Sequence, residues 1–182
     1  IAVPRLSRIA NFDDLDPLAA EPEVTMEIVE PGDALPGDSD LVIIPGSKAT
    51  LADLAQILAE GWDVDIVAHR RRGGLVVGLC GGYQVLGRAL IDGPGAEGPA
   101  RARVDGLSLL PVETHFHETK RTQQVHGTVV VSAGPWSTAT TSTVTGYEIH
   151  MGRTAPVDGA TLDPFLRLDG GSADSPPPTT LK

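Results

Sequence analysis

In the first half of the chain, short continuous apolar runs alternate with segments whose apolar residues recur at helical spacing. The second half is shorter-stepped, more polar and rich in Thr and Val. Ile1-Ala2-Val3 opens as a strand that Pro4 ends. The stretch to Leu18 is crowded with turn and capping residues and predicts a loop with a short helix. Residues 24–29 alternate as a half-buried strand, and residues 31–39 form a Pro, Gly and Asp loop. Leu41-Val42-Ile43-Ile44 is apolar without a break, the mark of a strand covered on both faces of a parallel sheet, and Pro45-Gly46-Ser47-Lys48 stops it sharply. Leu51, Leu54, Ile57 and Leu58 then predict a helix over 50–60 with Gly61 as its stop. A second amphipathic helix over 63–72 ends in Arg70-Arg71-Arg72, where cations suit the helix dipole.

Leu75-Val76-Val77 is a further strand, and the elbow that follows it organises the rest. Gly78-Leu79-Cys80-Gly81-Gly82 has the form Gly-x-nucleophile-x-Gly, in which a reactive residue sits on a strained turn between strand and helix. Flanking residues must be small because the chain doubles back on itself there. The start of the following helix, predicted to run to about Leu90, also favours a thiolate. A structural role is the usual fate of a lone cysteine, but three glycines crowded around Cys80 favour the nucleophile. Three strand, loop and helix units in succession predict a mostly parallel α/β sheet. Its reactive groups gather outside the carboxyl ends of the strands, so the Gly46 and Cys80 turns face one crevice.

Cleavage of an amide by a thiol requires an oxyanion hole, a pocket and a base. The N–H of Gly81 and that of Gly46 or Ser47 are placed to supply the hole. Gln84, one turn into the elbow helix, either presents its amide to a polar substrate or only solvates the helix. The base is less defined. His69 lies on the basic helix and His126 in a turn-like segment, both in structural settings, whereas His150 sits in Gly146-Tyr147-Glu148-Ile149-His150-Met151-Gly152-Arg153, dense in polar side chains. Chemistry alone makes His150 the first choice for the base, and substrate recognition fits it equally.

After the elbow, residues 92–99 read as a surface loop, and residues 106–114 as a strand entering a separate antiparallel group. His115 and His117 share one face of that strand, but no third ligand has metal-binding spacing, so they read as exposed strand histidines. Residues 128–131 form another strand, and residues 137–145 a strand or mobile loop. From Asp169 onward the chain turns to Gly, Ser, Asp, Pro and Thr, which predicts an irregular or disordered tail over 171–182 behind a domain over 1–170.

Charge narrows the partners. The 182 residues carry 24 acidic and 14 basic side chains, a formal charge of -10, which argues against nucleic acid or an anionic membrane. One cysteine excludes an internal disulfide framework, and no apolar run is long enough for a membrane span, so the expectation is a cytoplasmic protein. Ile1 begins a strand directly, as in a piece of a longer chain.

The Gly78-Leu79-Cys80-Gly81-Gly82-Tyr83-Gln84 segment resembles the nucleophile motif of class I (triad-type) glutamine amidotransferase domains. Pro45-Gly46-Ser47-Lys48, Gly146-Tyr147-Glu148-Ile149-His150-Met151-Gly152 and the segment from Pro4 to Leu18 narrow the resemblance to the cobyric acid synthase branch. It implies a flavodoxin-like α/β fold, a mostly parallel sheet flanked by helices, with a smaller antiparallel β portion after residue 105. It also implies a glutaminase domain that forms a thioester on Cys80 and passes ammonia to an N-terminal ATP-binding synthetase domain. That partner would activate corrin carboxylates, converting adenosylcobyrinic acid a,c-diamide to cobyric acid in cobalamin synthesis. The chain holds no Gly-rich phosphate loop with its lysine, so ATP and Mg are expected in the partner domain, and no cofactor or metal in this one. Ser47, Gln84, Tyr147 and Glu148 are the expected substrate-binding residues. One departure stands out: the family's base histidine lies in a later Gly-Thr-Tyr-x-His-Gly motif, and this sequence instead runs into Ser175-Pro176-Pro177-Pro178. Little glutamine turnover is expected unless His150 substitutes. The competing readings are an amidotransferase subunit acting on peptidoglycan precursors, the sister cobyrinic acid a,c-diamide synthase, and a folded but non-catalytic remnant.

Overall fold

The computed structural model describes residues 1–9, 12–131, 136–139, 141–169 and 179–180, with backbone alone for residues 12, 119–121, 150 and 179–180. Ala10 and Asn11 of the N-terminal segment and Ser175-Pro176-Pro177-Pro178 of the tail lie outside the described residues. The chain forms two compact units, residues 1–87 with 104–108, and residues 88–103 with 109–182.

The first unit is built on four parallel strands, β1 (Ala2–Pro4), β2 (Glu27–Val29), β3 (Leu41–Ile44) and β4 (Leu75–Gly78), in the order β2-β1-β3-β4. This is the start of the flavodoxin-like order, which reverses direction between β1 and β3. β3 is buried at every residue, as its unbroken apolar run predicts. Leu41 and Ile43 join Val3 and Leu15 in one core cluster, while Val42 and Ile44 point to the other face and are equally buried. The strand expected over 24–29 pairs only through Glu27–Val29, because in the parallel register Glu27 already lies opposite Ala2, the first residue of β1. A short helix α1 (Asp16–Ala19) follows a single 3₁₀ turn over Phe12–Leu15, close to the loop with a short helix read from composition.

Between β3 and β4 lie α2 (Thr50–Ala59) and α3 (Trp62–Arg71). Gly61 separates them in the left-handed conformation at φ +74°, a geometry that carries little cost only without a Cβ. Leu54, Ile57, Trp62 and Ile66 have no solvent exposure, and the Trp62 indole donates to the Asp33 carbonyl at 2.8 Å. His69 is also buried and hydrogen-bonds the Leu75 carbonyl at 2.9 Å, a structural setting. The helix after the elbow, α4 (Gly81–Val85), is much shorter than the expected span to Leu90. The returning segment 104–108 stops it, since Leu107 N–H donates to the Val85 carbonyl and Ser108 N–H to the Gly87 carbonyl. These bonds satisfy helix-terminal acceptors and remove the need for further turns.

In the second unit, Ala89–Asp92 is β5, a buried strand whose Leu90 fits helical and strand periods alike. β6 (Ala102–Asp105) borders it, and β5 runs parallel to β7 (Val112–Val129), which pairs antiparallel with β8 (Thr143–Pro156). β7 takes in only residues 112–114 of the strand expected over 106–114 and residues 128–129 of that expected over 128–131, residues 106–111 being no strand, and His126 lies on it rather than in a turn, 3.1 Å from the Thr145 hydroxyl. His115 and His117 are exposed on β7, as expected. β9 (Asp163–Pro164) is followed by β10 (Leu166–Leu168), which pairs with the end of β7, and β11 (Thr179–Thr180) pairs with β9. Of the expected tail, only those two residues are described.

The loop after β5 has an unexpected centre. Asp92 is fully buried, and its carboxylate accepts the N–H groups of Gly95, Ala96, Glu97 and Gly98 at 2.8 to 2.9 Å. Burial alone would raise its pKa, but these four donors outweigh that and hold it below the ordinary value.

Candidate active site

The candidate site of the first unit forms where β3 and β4 end. Cys80 links β4 to α4 with φ +51° and ψ −111°, a region a side-chain-bearing residue enters only where its surroundings force it. Such a conformation costs about 1–3 kcal/mol and commonly marks a functional turn. The neighbours supply the constraint. Leu79 N–H donates to the Ile44 carbonyl at 2.9 Å, Gly82 N–H returns to the Leu79 carbonyl at 2.8 Å, and Tyr83 and Gln84 N–H both reach the Cys80 carbonyl.

The glycines are required by close approach. A Cβ on Gly78 would lie 2.5 Å from the Gly82 and Tyr83 backbone, and one on Gly82 would lie 2.1 Å from the Ile44 carbonyl oxygen. The Gly-x-Cys-x-Gly spacing therefore makes the elbow, as the sequence predicts. Cys80 itself remains exposed at the tip.

The turn after β3 abuts this tip. A Cβ on Gly46 would stand 3.2 Å from the Cys80 Cβ and 3.4 Å from the Leu79 carbonyl oxygen, and one on Gly81 would stand 3.0 Å from the Thr50 hydroxyl and 3.6 Å from the Ser47 nitrogen. The two turns expected to share a crevice are thus in contact. The loop after β1 joins them through a bridge between Ile9 and Ser47 and through Lys48 N–H donating to the Arg8 carbonyl at 3.4 Å. Cys80, Gly46, Ser47, Gly81 and Gln84 are all brought together. The Ser47 hydroxyl accepts the Ala49 N–H at 2.9 Å, a local turn that opens α2. Gln84 is buried, and its carbonyl oxygen accepts the Thr50 hydroxyl at 3.1 Å.

Two residues of this site escaped the sequence reading. Thr50 and Asp53 are buried on α2 together with Leu54 and Ile57. Positions 50, 53, 54 and 57 are one helical stripe, so a hydroxyl and a carboxylate occupying apolar-stripe positions were the available signal. Asp53 is 2% exposed, and its Oδ1 has no hydrogen-bond partner among the described residues. Burial pushes its carboxyl pKa up, and the Ser47 hydroxyl and the Arg8 charge offset part of that rise.

Tyr147, Glu148 and His150 lie on β8 of the second unit. Tyr147 is 70% exposed, Glu148 accepts the Gln123 amide at 2.9 Å, and the backbone of His150 pairs with Arg121. The His150 side chain lies outside the described residues.

The model of the CobB/CobQ-like glutamine amidotransferase domain family matches residues 1–174. The chain belongs to this family. The CobB/CobQ-like domain is 54% identical over 170 residues to a cobyric acid synthase of Ruegeria sp. (strain TM1040), covering 93% of this chain and 33% of that protein. It is 53% identical over 174 residues to a cobyric acid synthase of Methylobacterium nodulans, covering 96% of this chain and 33% of that protein. The chain therefore spans about a third of the length of the curated relatives it matches. Among solved structures, PurLQS from Thermotoga maritima superposes with a TM-score of 0.69 at 19% identity, covering 96% of this chain and 76% of that one. A structure described as a glutamine amidotransferase superposes with a TM-score of 0.58 at 13% identity, covering 91% and 79%. These two likenesses support the α/β amidotransferase fold. No helix among the described residues is long and apolar enough to cross a membrane.

Proposed function

We propose that the chain is the glutamine-hydrolysing domain of a cobyric acid synthase, with Cys80 as nucleophile. Cys80 Sγ attacks the side-chain carboxamide carbon of glutamine, and the carbonyl oxygen takes up negative charge. The C–N bond then breaks, ammonia leaves carrying the proton the thiol has lost, and a γ-glutamyl thioester remains on Cys80. Water attacks the thioester and releases glutamate. The N–H groups of Gly46 and Gly81 receive the developing oxyanion, because the Gly46 and Cys80 turns are in contact and Gly81 N–H is a first-turn donor without an intrahelical acceptor. Ser47, Gln84, Tyr147 and Glu148 are assigned to holding the substrates, and His150 to proton transfer. The single observation that carries this reading is the forced positive φ at an exposed Cys80 flanked by glycines that nothing larger can replace.

The relatives are about three times as long as this chain, and their remainder would be the synthetase domain that receives the ammonia. ATP and Mg bind there, and the acceptors are corrin carboxylates of adenosylcobyrinic acid a,c-diamide. The setting is the cytoplasm, where glutamine and ATP are both present. The test is alkylation of Cys80 by the diazoketone analogue of glutamine. Modification faster than by iodoacetamide, and slowed by added glutamine, is the expected result. Modification at the rate of an ordinary thiol, unaffected by glutamine, would make the chain a non-catalytic remnant.

A further inference from the structure

Thr50 is the first residue of α2, next to Ala49, which offers the helix no side-chain cap. A threonine at the start of a helix commonly turns its hydroxyl back to an N–H of its own first turn. Here the hydroxyl crosses to the elbow helix instead: Thr50 is 2% exposed and donates to the Gln84 carbonyl oxygen at 3.1 Å, with both side chains buried. The same oxygen would stand 3.0 Å from a Cβ on Gly81, so it rests against the residue that follows Cys80. One hydroxyl therefore holds α4 at two points a turn apart. That helix has only five residues, too few to fix its own position, so the aim of its first N–H groups depends on what packs against it. Thr50 also opens the helix that follows the Gly46-Ser47 turn, and a Cβ on Gly81 would lie 3.6 Å from the Ser47 nitrogen, so the contact ties the two turns of the site to each other. A valine would fill the same space without a hydroxyl to satisfy, which makes the hydrogen bond the distinguishing feature of this position.

We propose that Thr50 is a positioning residue for the Cys80 centre: its hydroxyl clamps the first turn of α4 onto the first turn of α2, which keeps the Gly81 N–H aimed at the oxygen of the bound carboxamide. This rests on the reading of Cys80 as the nucleophile. Thr50 acts on the reaction of a glutamine-shaped substrate and leaves the intrinsic reactivity of the thiol alone.

The experiment compares two reagents on the 182-residue chain, well below the unfolding temperature of every variant: the diazoketone analogue of glutamine, which must occupy the carboxamide site, and iodoacetamide, which need not. The wild type comes first, and an analogue with no advantage over iodoacetamide there refutes the proposed function and this proposal with it. With that advantage present, Thr50→Val, which exchanges the hydroxyl for a methyl of the same shape, slows the analogue by roughly 10- to 100-fold, the cost of a misplaced reactive geometry. Thr50→Ser keeps the hydroxyl and reacts close to the wild-type rate, whereas Thr50→Ala, which differs from it by that oxygen alone, is slowed as Thr50→Val is. The iodoacetamide rates of all three do not fall. A role in packing alone gives the opposite order, with Thr50→Val near wild type and Thr50→Ser and Thr50→Ala alike. That order, wild-type analogue rates in every variant, or equal slowing with both reagents would each overturn the proposal while leaving Cys80 as the nucleophile. Should Thr50→Val fail to fold, the comparison of Thr50→Ser with Thr50→Ala decides it by the same two-reagent ratio.

Discussion

Replacing Gly82 by alanine tests the elbow at its tightest point. The new Cβ would lie 2.1 Å from the Ile44 oxygen, 2.8 Å from the Ile44 carbon and 2.9 Å from the Pro45 oxygen, whereas ordinary contact starts near 3.4 Å, so α4 and β3 must part by about 1.3 Å. All three atoms are backbone, and no rotamer change relieves the overlap. Forced overpacking costs about 1–3 kcal/mol where side chains can shift, and rigid backbone on both sides puts this case at about 3 kcal/mol or beyond. Gly37→Ala is the control, because nothing lies within 4 Å of its Cβ, and it should stay within about 1 kcal/mol of the parent, on the stabilising side if anything. Urea unfolding followed by Trp62 fluorescence, in a Trp136→Phe background that leaves one tryptophan, reads the first unit directly. With a slope of about 1–3 kcal/mol per molar urea, Gly82→Ala should lower the midpoint by about 1–3 M, or leave no folded protein. A midpoint within about 0.3 M of the Gly37→Ala control would refute the close approach of the elbow to β3.

Further expectations concern both units. Asp92→Ala leaves four aligned N–H groups without their acceptor and should destabilise the second unit by about 2–4 kcal/mol, measured as a loss of Trp136 signal at lower urea. Because the folded pKa of Asp92 lies below its unfolded value of 3.8, its stabilisation is complete above pH 3.8 and fades as the pH falls through the lower folded value; Asp92→Ala should flatten that acid limb of a midpoint-against-pH curve. Asp53 has the opposite sign, since its raised pKa means that ionising it in the folded state opposes folding, so Asp53→Asn should hold or raise the midpoint at neutral pH. Gly46→Ala, with a contact of 3.2 Å to the Cys80 Cβ, should fold while slowing the glutamine analogue by roughly 10-fold or more, because the turn it displaces carries an oxyanion donor.

The parts that were legible in the sequence are those where local and global preferences agree. β3 showed itself as an unbroken apolar run, α2 and α3 as stripes bounded by Gly61, and the elbow as glycines around a single cysteine; in each, one residue type satisfies both local geometry and packing. The end of α4 was hidden because the apolar positions Leu86, Ala89, Leu90 and Ile91 suit helix and strand alike, and only the return of residues 104–108 decides between them. The length of β7 and β8 was hidden for another reason. Polar Thr, Gln and His line a pair whose pattern weakens at the irregularity between His115 and Lys120, so two strands and a turn were read where one strand runs through. Asp92 passed for a loop residue, since its four donors come from residues whose own sequence signals a turn. Asp53 drew no reading of its own, because an acid in the first turn of a helix is what the helix dipole favours. Both buried carboxylates are recognisable only once the surroundings that desolvate them are known.

The most direct measurement is to trap the acyl-enzyme. The chain is incubated with glutamine labelled in its carbon skeleton, quenched in acid and digested. The account predicts label on the peptide holding Cys80, released by hydroxylamine as a thioester must be, and absent from Cys80→Ser. Label on another residue, label that survives in Cys80→Ser, or no label on a protein that still releases glutamate from glutamine would contradict it.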